Sequence, residues 1–276
     1  MVRGGSKAIR GRTVQPRRSI RAWHGCSTRL LEGCKLLLGS SRTRACTGAS
    51  EAGFLYERGL GVPKDSREAL KWYRKAAERG DPSAQCRIGQ SYYNGQDVSR
   101  DYREAANWYR KSAEQGLAVA ENNLAALYHH GRGVETNYVQ ALYWYRKAAE
   151  RGLPEAKNSL GVMYQDGLGV EKDYQQAANW FRAAAEQGDN GGRYDLANLY
   201  MVGRGVPLDC VRAYFWYSLA TAAGDNLGPR QLKKLSKLMT PRQVLEARSL
   251  LANQQRQKQP SNVPEAAVRG ATQQTD

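Results

Sequence analysis

Few residues in this chain have the type and spacing that catalysis or metal binding requires. His129 and His130 are adjacent, and no His or acid follows four residues later to complete a metal site on a helix face. The five cysteines are an odd number without a C-x-x-C pair, which argues against a disulfide framework and a structural zinc site. No P-loop, H-E-x-x-H, G-x-S-x-G or G-x-G-x-x-G pattern occurs. The sequence therefore predicts a protein that is not an enzyme and needs no cofactor or metal.

The side chains that offer chemistry are instead amides, aromatics and a few apolar groups, which suit an extended peptide or a helix of another protein. Asn122 and Asn158 occupy equivalent positions, where two stacked amides could hold a peptide backbone. The candidate partner-binding residues are Gln90, Tyr93, Asn122, Ala126, His129, Asn158, Val162, Gln165, Tyr194, Asn198 and Met201. For each of them, the alternative is a solvated helix position with no partner.

A repeat with a period of 36 residues must position these candidates. Its clearest markers are Trp72, Trp108, Trp144, Trp180 and Trp216. Glycine, tyrosine, valine and alanine positions keep the same step through five copies without an insertion. A fixed period of this length indicates stacked units, each of which needs its neighbours to bury its apolar face.

Each copy is predicted to contain two helices. The second helix begins after an N-cap residue, with Glu68 and its equivalents placed to complete a capping box in four copies. The predicted N-caps are Asp65, Asp101, Asn137, Asp173 and Asp209. The apolar stripe places all five tryptophans in the core. The candidate residues lie on the first helix, which in such stacks tends to line the concave face, at positions that do not recur between copies.

The loop between the two helices carries two glycines in every copy except the second. There Asp97 replaces the second glycine of the pattern. Asp tolerates a positive φ better than most residues do, so we expect this loop to form with some strain.

The repeat resembles the Sel-one-like repeat (SLR), a branch of the tetratricopeptide superfamily. Residues 118–152 carry nearly the whole pattern, with Ala120, Leu124, Ala125, Tyr128, Gly131, Gly133, Val134, Asn137, Tyr138, Ala141, Trp144, Tyr145, Ala148, Ala149 and Gly152. Residues 239–243 resemble the closing segment of bacterial members. The resemblance implies an all-α fold, a right-handed α-solenoid of five helix-turn-helix repeats over residues 48–224. It also implies an adaptor or scaffold that binds a protein or an extended peptide.

The ends of the chain differ from the repeats in charge and composition. Residues 1–48 account for +10 of the formal net charge of +16, whereas residues 49–224 are nearly neutral. Residues 1–47 are predicted to be a basic extension that is either disordered or a targeting segment, because their arginine-rich, acid-poor composition resembles a transit peptide. Residues 225–252 are predicted to form two capping helices, and residues 253–276 a disordered polar tail.

The sequence leaves the compartment open. A bacterial cell is favoured by the closing segment, and import into an organelle such as the mitochondrion is the second interpretation. Arg17 and Arg18 resemble a twin-arginine export signal, but no apolar stretch follows them. No apolar run is long enough for a transmembrane segment. We expect a soluble monomer.

Two other functions remain as alternatives to the protein-binding scaffold. One is a hydrolytic enzyme on the same repeats, which would need a nucleophile beside a base. The other is binding of nucleic acid or anionic membrane through the basic extension, since the neutral repeats predict no specific nucleic-acid site.

Overall fold

The computed structural model describes residues 42–258, which are helical throughout apart from turns and loops. The helices are α1 Arg42–Arg58, α2 Ser66–Glu78, α3 Pro82–Asn94, α4 Tyr102–Glu114, α5 Ala118–His130, α6 Tyr138–Glu150, α7 Pro154–Asp166, α8 Tyr174–Glu186, α9 Asn190–Val202, α10 Cys210–Ala222, α11 Gly228–Leu238 and α12 Pro241–Lys258. Odd-numbered helices from α1 to α9 are the first helices of five repeats, and even-numbered helices from α2 to α10 are their second helices. None of the helices between residues 42 and 258 has the length and apolar character that a membrane crossing requires.

The chain forms two compact units, Met1–Gln115 and Gly116–Asp276. In unit 1, α1 packs on α2, α2 on α3, and α3 on α4. In unit 2, the same succession runs from α5 to α10, and α11 and α12 both pack on α10. Within a unit, each second helix thus contacts the first helix of its own repeat and, where another helix of the unit follows, that helix as well. Contacts of the second kind are how stacked repeats bury their apolar faces.

Each second helix begins as the sequence predicts, but the capping box is only half formed. Asp65 Oδ1 accepts hydrogen bonds from the backbone N–H groups of Arg67 and Glu68, both at 3.0 Å. The N–H of Asp65 donates to the carbonyl of Tyr56 at 3.0 Å, so it is not free for the Glu68 carboxylate, which binds Lys71 instead. The same tyrosine carbonyl contact recurs in all five copies, which explains why Arg212 in place of a Glu or Gln leaves the fifth cap intact.

The tryptophan prediction is confirmed in two copies and corrected in three. Trp72 and Trp144 are buried, whereas the tryptophans of the second, fourth and fifth copies are half-buried. The deepest aromatic is the next residue along the chain, as Phe181 and Tyr217 show, both 0 % exposed. In the first three repeats a lysine lies over the indole; Lys75 Nζ is 4.5 Å from the centre of the Trp72 ring.

Glycine on the first helix makes room for the deepest aromatic in three repeats. A Cβ built on Gly53 would lie 2.7 Å from the Tyr73 ring, and one on Gly161 would lie 2.4 Å from Phe181. The two helices therefore approach more closely there than an alanine would allow. Arginines of the second helices also reach the tyrosine hydroxyls of the following repeat, as Arg146 does to Tyr164 at 3.2 Å.

The last two helices close the apolar core of unit 2. Leu235 and Ala247 are 0 % exposed and join the same cluster as Tyr217. Thr240 and Gln243 form a complete capping box at the start of α12, with bonds of 2.9 and 3.3 Å. Helix α12 continues to Lys258, six residues past the boundary predicted for the polar tail, and α1 begins at Arg42, before the boundary predicted for the basic extension. The predictions for residues 1–41 and 259–276 lie outside the described residues.

Candidate partner-binding surface

All eleven predicted binding residues lie on first helices, which are α3 in unit 1 and α5, α7 and α9 in unit 2. Gln90 is exposed and the other ten are half-buried. The positions between them carry the buried small and aliphatic residues that pack each repeat. Within each unit, the first helices therefore present a face whose residues vary between copies, on a framework whose residues do not.

In unit 1, this face contains a polar cavity of about 110 Å³, which we call the junction cavity. It is defined by Glu57, Ser66, Tyr73, Arg87, Gln90 and Asp97. The cavity lies between the first and second repeats, so residues from both repeats contribute to one site. Of the residues predicted from the sequence, only Gln90 lines it.

A hydrogen-bonded trio forms one wall of the junction cavity. The Tyr73 hydroxyl donates to Glu57 Oε2 at 2.6 Å, and Arg87 Nη1 donates to Glu57 Oε1 at 3.4 Å. Burial raises the pKa of Tyr73 well above its ordinary value, and the bond to the Glu57 carboxylate raises it further. Both oxygens of Glu57 are thus engaged, and the trio is a fixed structure rather than a set of free side chains.

The junction cavity exists because Ser66 replaces a tyrosine. The equivalent residues of the next three repeats are Tyr102, Tyr138 and Tyr174. In two of these repeats the ring packs on the first helix of its own repeat, as Tyr138 does on His129 with ring centres 5.6 Å apart. Glu57 occupies the position in the first repeat that His129 occupies in the third. Because a serine is too small to fill the space of a tyrosine ring, the Glu57 carboxylate faces a cavity.

Asp97 forms the opposite wall at a backbone position that the other four loops give to glycine. Its φ is +60°, the left-handed region that costs a non-glycine residue energy. Its side chain is only 18 % exposed, and the nearest cation is the well-exposed Arg67, whose Nε lies 4.0 Å away. The expectation that Asp tolerates this conformation is confirmed, and the side chain that the substitution introduces lines the junction cavity.

In unit 2, the predicted amides have unused hydrogen-bonding capacity. The Oδ1 atoms of Asn122 and Asn158 are buried and accept no hydrogen bond within the described residues. Asn158 Nδ2 occupies space that Gly191 leaves on the next first helix, since a Cβ there would lie 2.6 Å from it. An acceptor without a donor is costly, and rotation of the amide would turn its oxygen toward an incoming N–H group.

The imidazole ring of His129 packs against aromatic rings. Its ring packs edge-on against Tyr138 and Tyr145, with centres 5.6 and 6.4 Å apart. Burial lowers the pKa of His129, the neighbouring His130 lowers it further, and Asp166 opposes both. No group of three metal-binding side chains occurs between residues 42 and 258.

The three candidates of the fifth repeat contact the fold itself. The Tyr217 hydroxyl donates to Asn198 Oδ1 at 2.5 Å and lies 3.8 Å from the sulfur of Met201. The ring of Tyr194 packs on that of Tyr217 with centres 5.4 Å apart, and its hydroxyl accepts from Gln231 Nε2 at 3.3 Å. Tyr194 thus contacts the capping helix α11, and Asn198 and Met201 contact Tyr217 of α10, so the three residues have structural partners whether or not they also bind another protein.

Sequence reasoning missed four charged residues of this face, namely Glu57, Arg87, Asp97 and Asp195. Burial raises the pKa of Asp195 to about 6, the Asn198 amide opposes this, and Asp189 and Asp166 raise it further. Arg87 and Asp195 are equivalent positions that hold a different residue in every copy. That variability was the available signal, since it is the same criterion that selected the other candidates.

The Cys86 thiol is not poised for reaction. Cys86 is buried, whereas Cys210 is half-buried. Burial raises the pKa of Cys86 to about 11, although Arg87 lowers it slightly. A thiol with a raised pKa stays protonated near neutral pH and is a poor nucleophile.

The family model described as Sel1 repeat matches residues 47–81, 82–117, 118–153, 154–189 and 192–225. The chain belongs to the Sel1 repeat family. This confirms both the resemblance read from residues 118–152 and the fold class, an all-α repeat solenoid of five helix-turn-helix repeats with a C-terminal helix pair. No curated protein matches the chain.

Solved structures of two bacterial Sel1 repeat proteins are similar to the chain. A Sel1 repeat protein from Oxalobacter formigenes is 33 % identical with a TM-score of 0.68, and the match covers 85 % of this chain and 100 % of that one. A protective antigen of uropathogenic Escherichia coli with an SLR fold is 31 % identical with a TM-score of 0.67. That match covers 86 % of this chain and 55 % of the antigen, so the chain spans about half of its length.

Proposed function

We propose that this Sel1 repeat protein is a non-enzymatic scaffold that binds an extended peptide or a segment of a partner protein along its first helices. Sel1 repeats typically mediate contacts between proteins. The observation that carries the proposal is the unused hydrogen-bonding capacity of Asn122 and Asn158, two equivalent amides on successive first helices of unit 2. A partner's backbone N–H groups would supply the donors that the fold does not.

The spacing of these amides supports an extended ligand. They occupy equivalent sites in adjacent repeats, with the half-buried Ala126 and Val162 one helical turn further along α5 and α7. A strand-like peptide presents N–H groups and side chains at regular intervals, so amides can bind its backbone while the apolar positions contact its side chains.

Site-specific photo-crosslinking in the full chain tests this assignment. We would place p-benzoylphenylalanine at Ala126 or Gln165 on the first helices of unit 2, and at Val139 or Tyr143 as exposed control sites on α6. The proposal expects the same partner polypeptide to crosslink from both first-helix sites and not from the controls. Crosslinks that are equally strong from α6 would contradict it.

Capture of a protein would not suffice, so the crosslinked partner is then used in a binding measurement. The double variant Asn122→Ala with Asn158→Ala should weaken binding about 5- to 150-fold, since each of the two lost hydrogen bonds contributes roughly 0.5–1.5 kcal/mol. Asn179→Ala is the matched control, because Asn179 is an exposed amide on α8 in the same unit. Unchanged affinity in the double variant would overturn the role assigned to the amides.

A further inference from the structure

We propose that the junction cavity of unit 1 binds one basic side chain, a lysine or an arginine, of the partner polypeptide. This proposal rests on the proposed function and names the residue type that the first-helix face selects. The cavity measures about 110 Å³, which is enough for roughly three or four water molecules or the end of one long side chain. It is therefore a site for a single residue, not for a whole peptide.

The charges around the junction cavity favour a cation. Two carboxylates, Glu57 and Asp97, and one guanidinium, that of Arg87, line it. The guanidinium is already paired with Glu57 Oε1 at 3.4 Å. One negative charge is left over, and it belongs to Asp97, whose only ion pair is the 4.0 Å contact to Arg67 at the surface.

The acceptors on the lining of the junction cavity suit the same ligand class. The Tyr73 hydroxyl is used by Glu57, so the trio has no donor left from that residue. Asp97 offers a largely enclosed carboxylate, and the Ser66 hydroxyl and Gln90 side-chain oxygen are further acceptors on the lining. An ammonium or guanidinium group consists only of donors and would satisfy these acceptors together.

The residues that make the junction cavity occur together only between the first and second repeats, unlike the core residues that recur in every repeat. The cavity requires a serine where the next three repeats have a tyrosine and an aspartate where the other four loops have a glycine. The aspartate is placed at a φ of +60°, where glycine would be the unstrained choice. The serine leaves space that a tyrosine ring would fill, and the aspartate places a carboxylate on the lining of that space; together they make a cation site.

The test is an NMR titration of the isotope-labelled full chain with the amide of N-acetyl-lysine, with the amide of N-acetyl-norleucine as the uncharged probe. We expect saturable shifts of the backbone amides of Ser66 and Asp97 with the lysine probe only. Asp97→Gly, which restores the glycine of the other loops, should weaken this binding at least about tenfold, because it removes the carboxylate whose ion pair is the long contact to the exposed Arg67. Ser66→Tyr, which supplies the ring of the next repeats, should abolish it. Glu78→Gln is the control, since Glu78 is an exposed acid of the same unit outside the cavity.

Three outcomes would overturn the proposal: no saturation by the lysine probe, an equal response to the norleucine probe, or unchanged binding in Asp97→Gly. The chain's own basic residues are another source of the same side chain, so p-benzoylphenylalanine at Gln90 provides a second readout. A crosslink to a peptide of residues 1–41 of the same chain would show that this segment, not a partner, supplies the basic side chain. That result would overturn the assignment of the cavity to a partner polypeptide. Partner crosslinking that survives in Asp97→Gly with unchanged affinity would refute the cation site but leave the proposed function standing.

Discussion

Replacing Arg151 should reveal how much one buried carboxylate costs this fold. The Glu121 side chain is only 1 % exposed, and Arg151 Nε contacts its Oε1 at 3.1 Å. The other oxygen, Oε2, is buried and accepts no hydrogen bond within the described residues. Arg151→Ala would therefore leave a buried carboxylate with neither a counter-charge nor a donor.

The size of the effect follows from the geometry. At the observed 3.1 Å the attraction is about 5 kcal/mol if the effective dielectric constant is about 20. Arg151 is 51 % exposed, so water screens part of this attraction and replaces some of it when the arginine is removed. Breaking a fully buried pair costs about 3–5 kcal/mol, so we expect Arg151→Ala to lower the free energy of unfolding by about 2–3 kcal/mol.

The chain itself supplies a neutral reference for this pair. Gln85 and Gln115 occupy the equivalent positions one repeat earlier, and Gln115 Nε2 donates to Gln85 Oε1 at 2.8 Å. The double variant Glu121→Gln with Arg151→Gln installs that pair in unit 2 and removes the buried charge. We expect its free energy of unfolding to lie within about 1 kcal/mol of the natural chain, since replacing both partners avoids the penalty of an orphaned group.

Urea unfolding of the full chain, followed by circular dichroism, gives the free energies for the four members of this double-mutant cycle. The cycle consists of the natural chain, Arg151→Gln, Glu121→Gln and the double variant, with Arg151→Ala measured beside it. The reasoning is refuted if Arg151→Ala unfolds within about 0.5 kcal/mol of the natural chain, which is the range of neutral surface substitutions. It is also refuted if the double variant is no more stable than Arg151→Gln alone.

Three further predictions concern unit 2. Gly161→Ala should destabilise the protein by about 1–2 kcal/mol in urea unfolding, because its Cβ would lie 2.4 Å from the fully buried Phe181 ring and the strain exceeds the helix-propensity gain; an unchanged or raised stability would contradict this packing. Trp144→Ala should lower the free energy of unfolding by about 3–5 kcal/mol and Trp180→Ala by less, because Trp144 is 9 % exposed and Trp180 is half-buried. Equal melting temperatures of the two variants would contradict this difference in burial. The pKa of Asp195 is about 6 against an ordinary 3.8, so the folded state binds this proton more tightly than the unfolded state does. Its contribution to stability should therefore rise as the pH falls from about 7 to about 4, and the melting temperature of the natural chain relative to Asp195→Asn should increase over that range; a constant difference would contradict it.

The repeat period and the positions of the two helices could be predicted from the sequence, because the same residue types begin and end the helices in every repeat. The N-cap acids, the helix-ending glycines and the first-helix prolines each act within a few residues of their own position. Asp65 is the N-cap of its helix, as the pattern predicts, and Pro82 occupies the first turn of α3. Local rules of this kind need no knowledge of distant contacts.

The burial of the tryptophans could not be read in the same way, because the period does not distinguish two adjacent aromatics. Trp180 and Phe181 recur together, yet only Phe181 faces the glycine of the neighbouring helix. The difference of about 100° between successive helical residues decides which ring goes inward. The sequence did contain a signal on the first helix, where a glycine or alanine follows Ile88 and its equivalents. Deciding which ring of the second helix packs on that small residue requires the geometry of the helix pair.

The junction cavity was missed for a related reason. Asp97 was recognised as a departure from the glycine pattern, and its backbone conformation was predicted correctly. Ser66 and Glu57 were each inconspicuous, since a serine at a helix start and a glutamate near a helix end are ordinary residues. Only the fold shows that all three border the same space. Departures from a repeat are informative in combination, and their combination is set by packing between repeats.

The hydrogen-bond inventory divides the predicted binding residues into two groups. Tyr194 and Asn198 hold Tyr217 and the capping helices, so their variation between copies follows from the end of the repeat array. Asn122 and Asn158 have no such internal task for their oxygens, although each is enclosed enough for the loss to be costly. Where a residue that varies between copies has its polar atoms hydrogen-bonded within the fold, those bonds explain why it is there. Where its buried polar atoms have no hydrogen bond, its presence needs another explanation, such as a partner. Binding is therefore expected on α3, α5 and α7 rather than on α9. A variant that also changed Tyr194 would confuse loss of partner binding with unfolding, whereas the change at Asn122 and Asn158 alone does not.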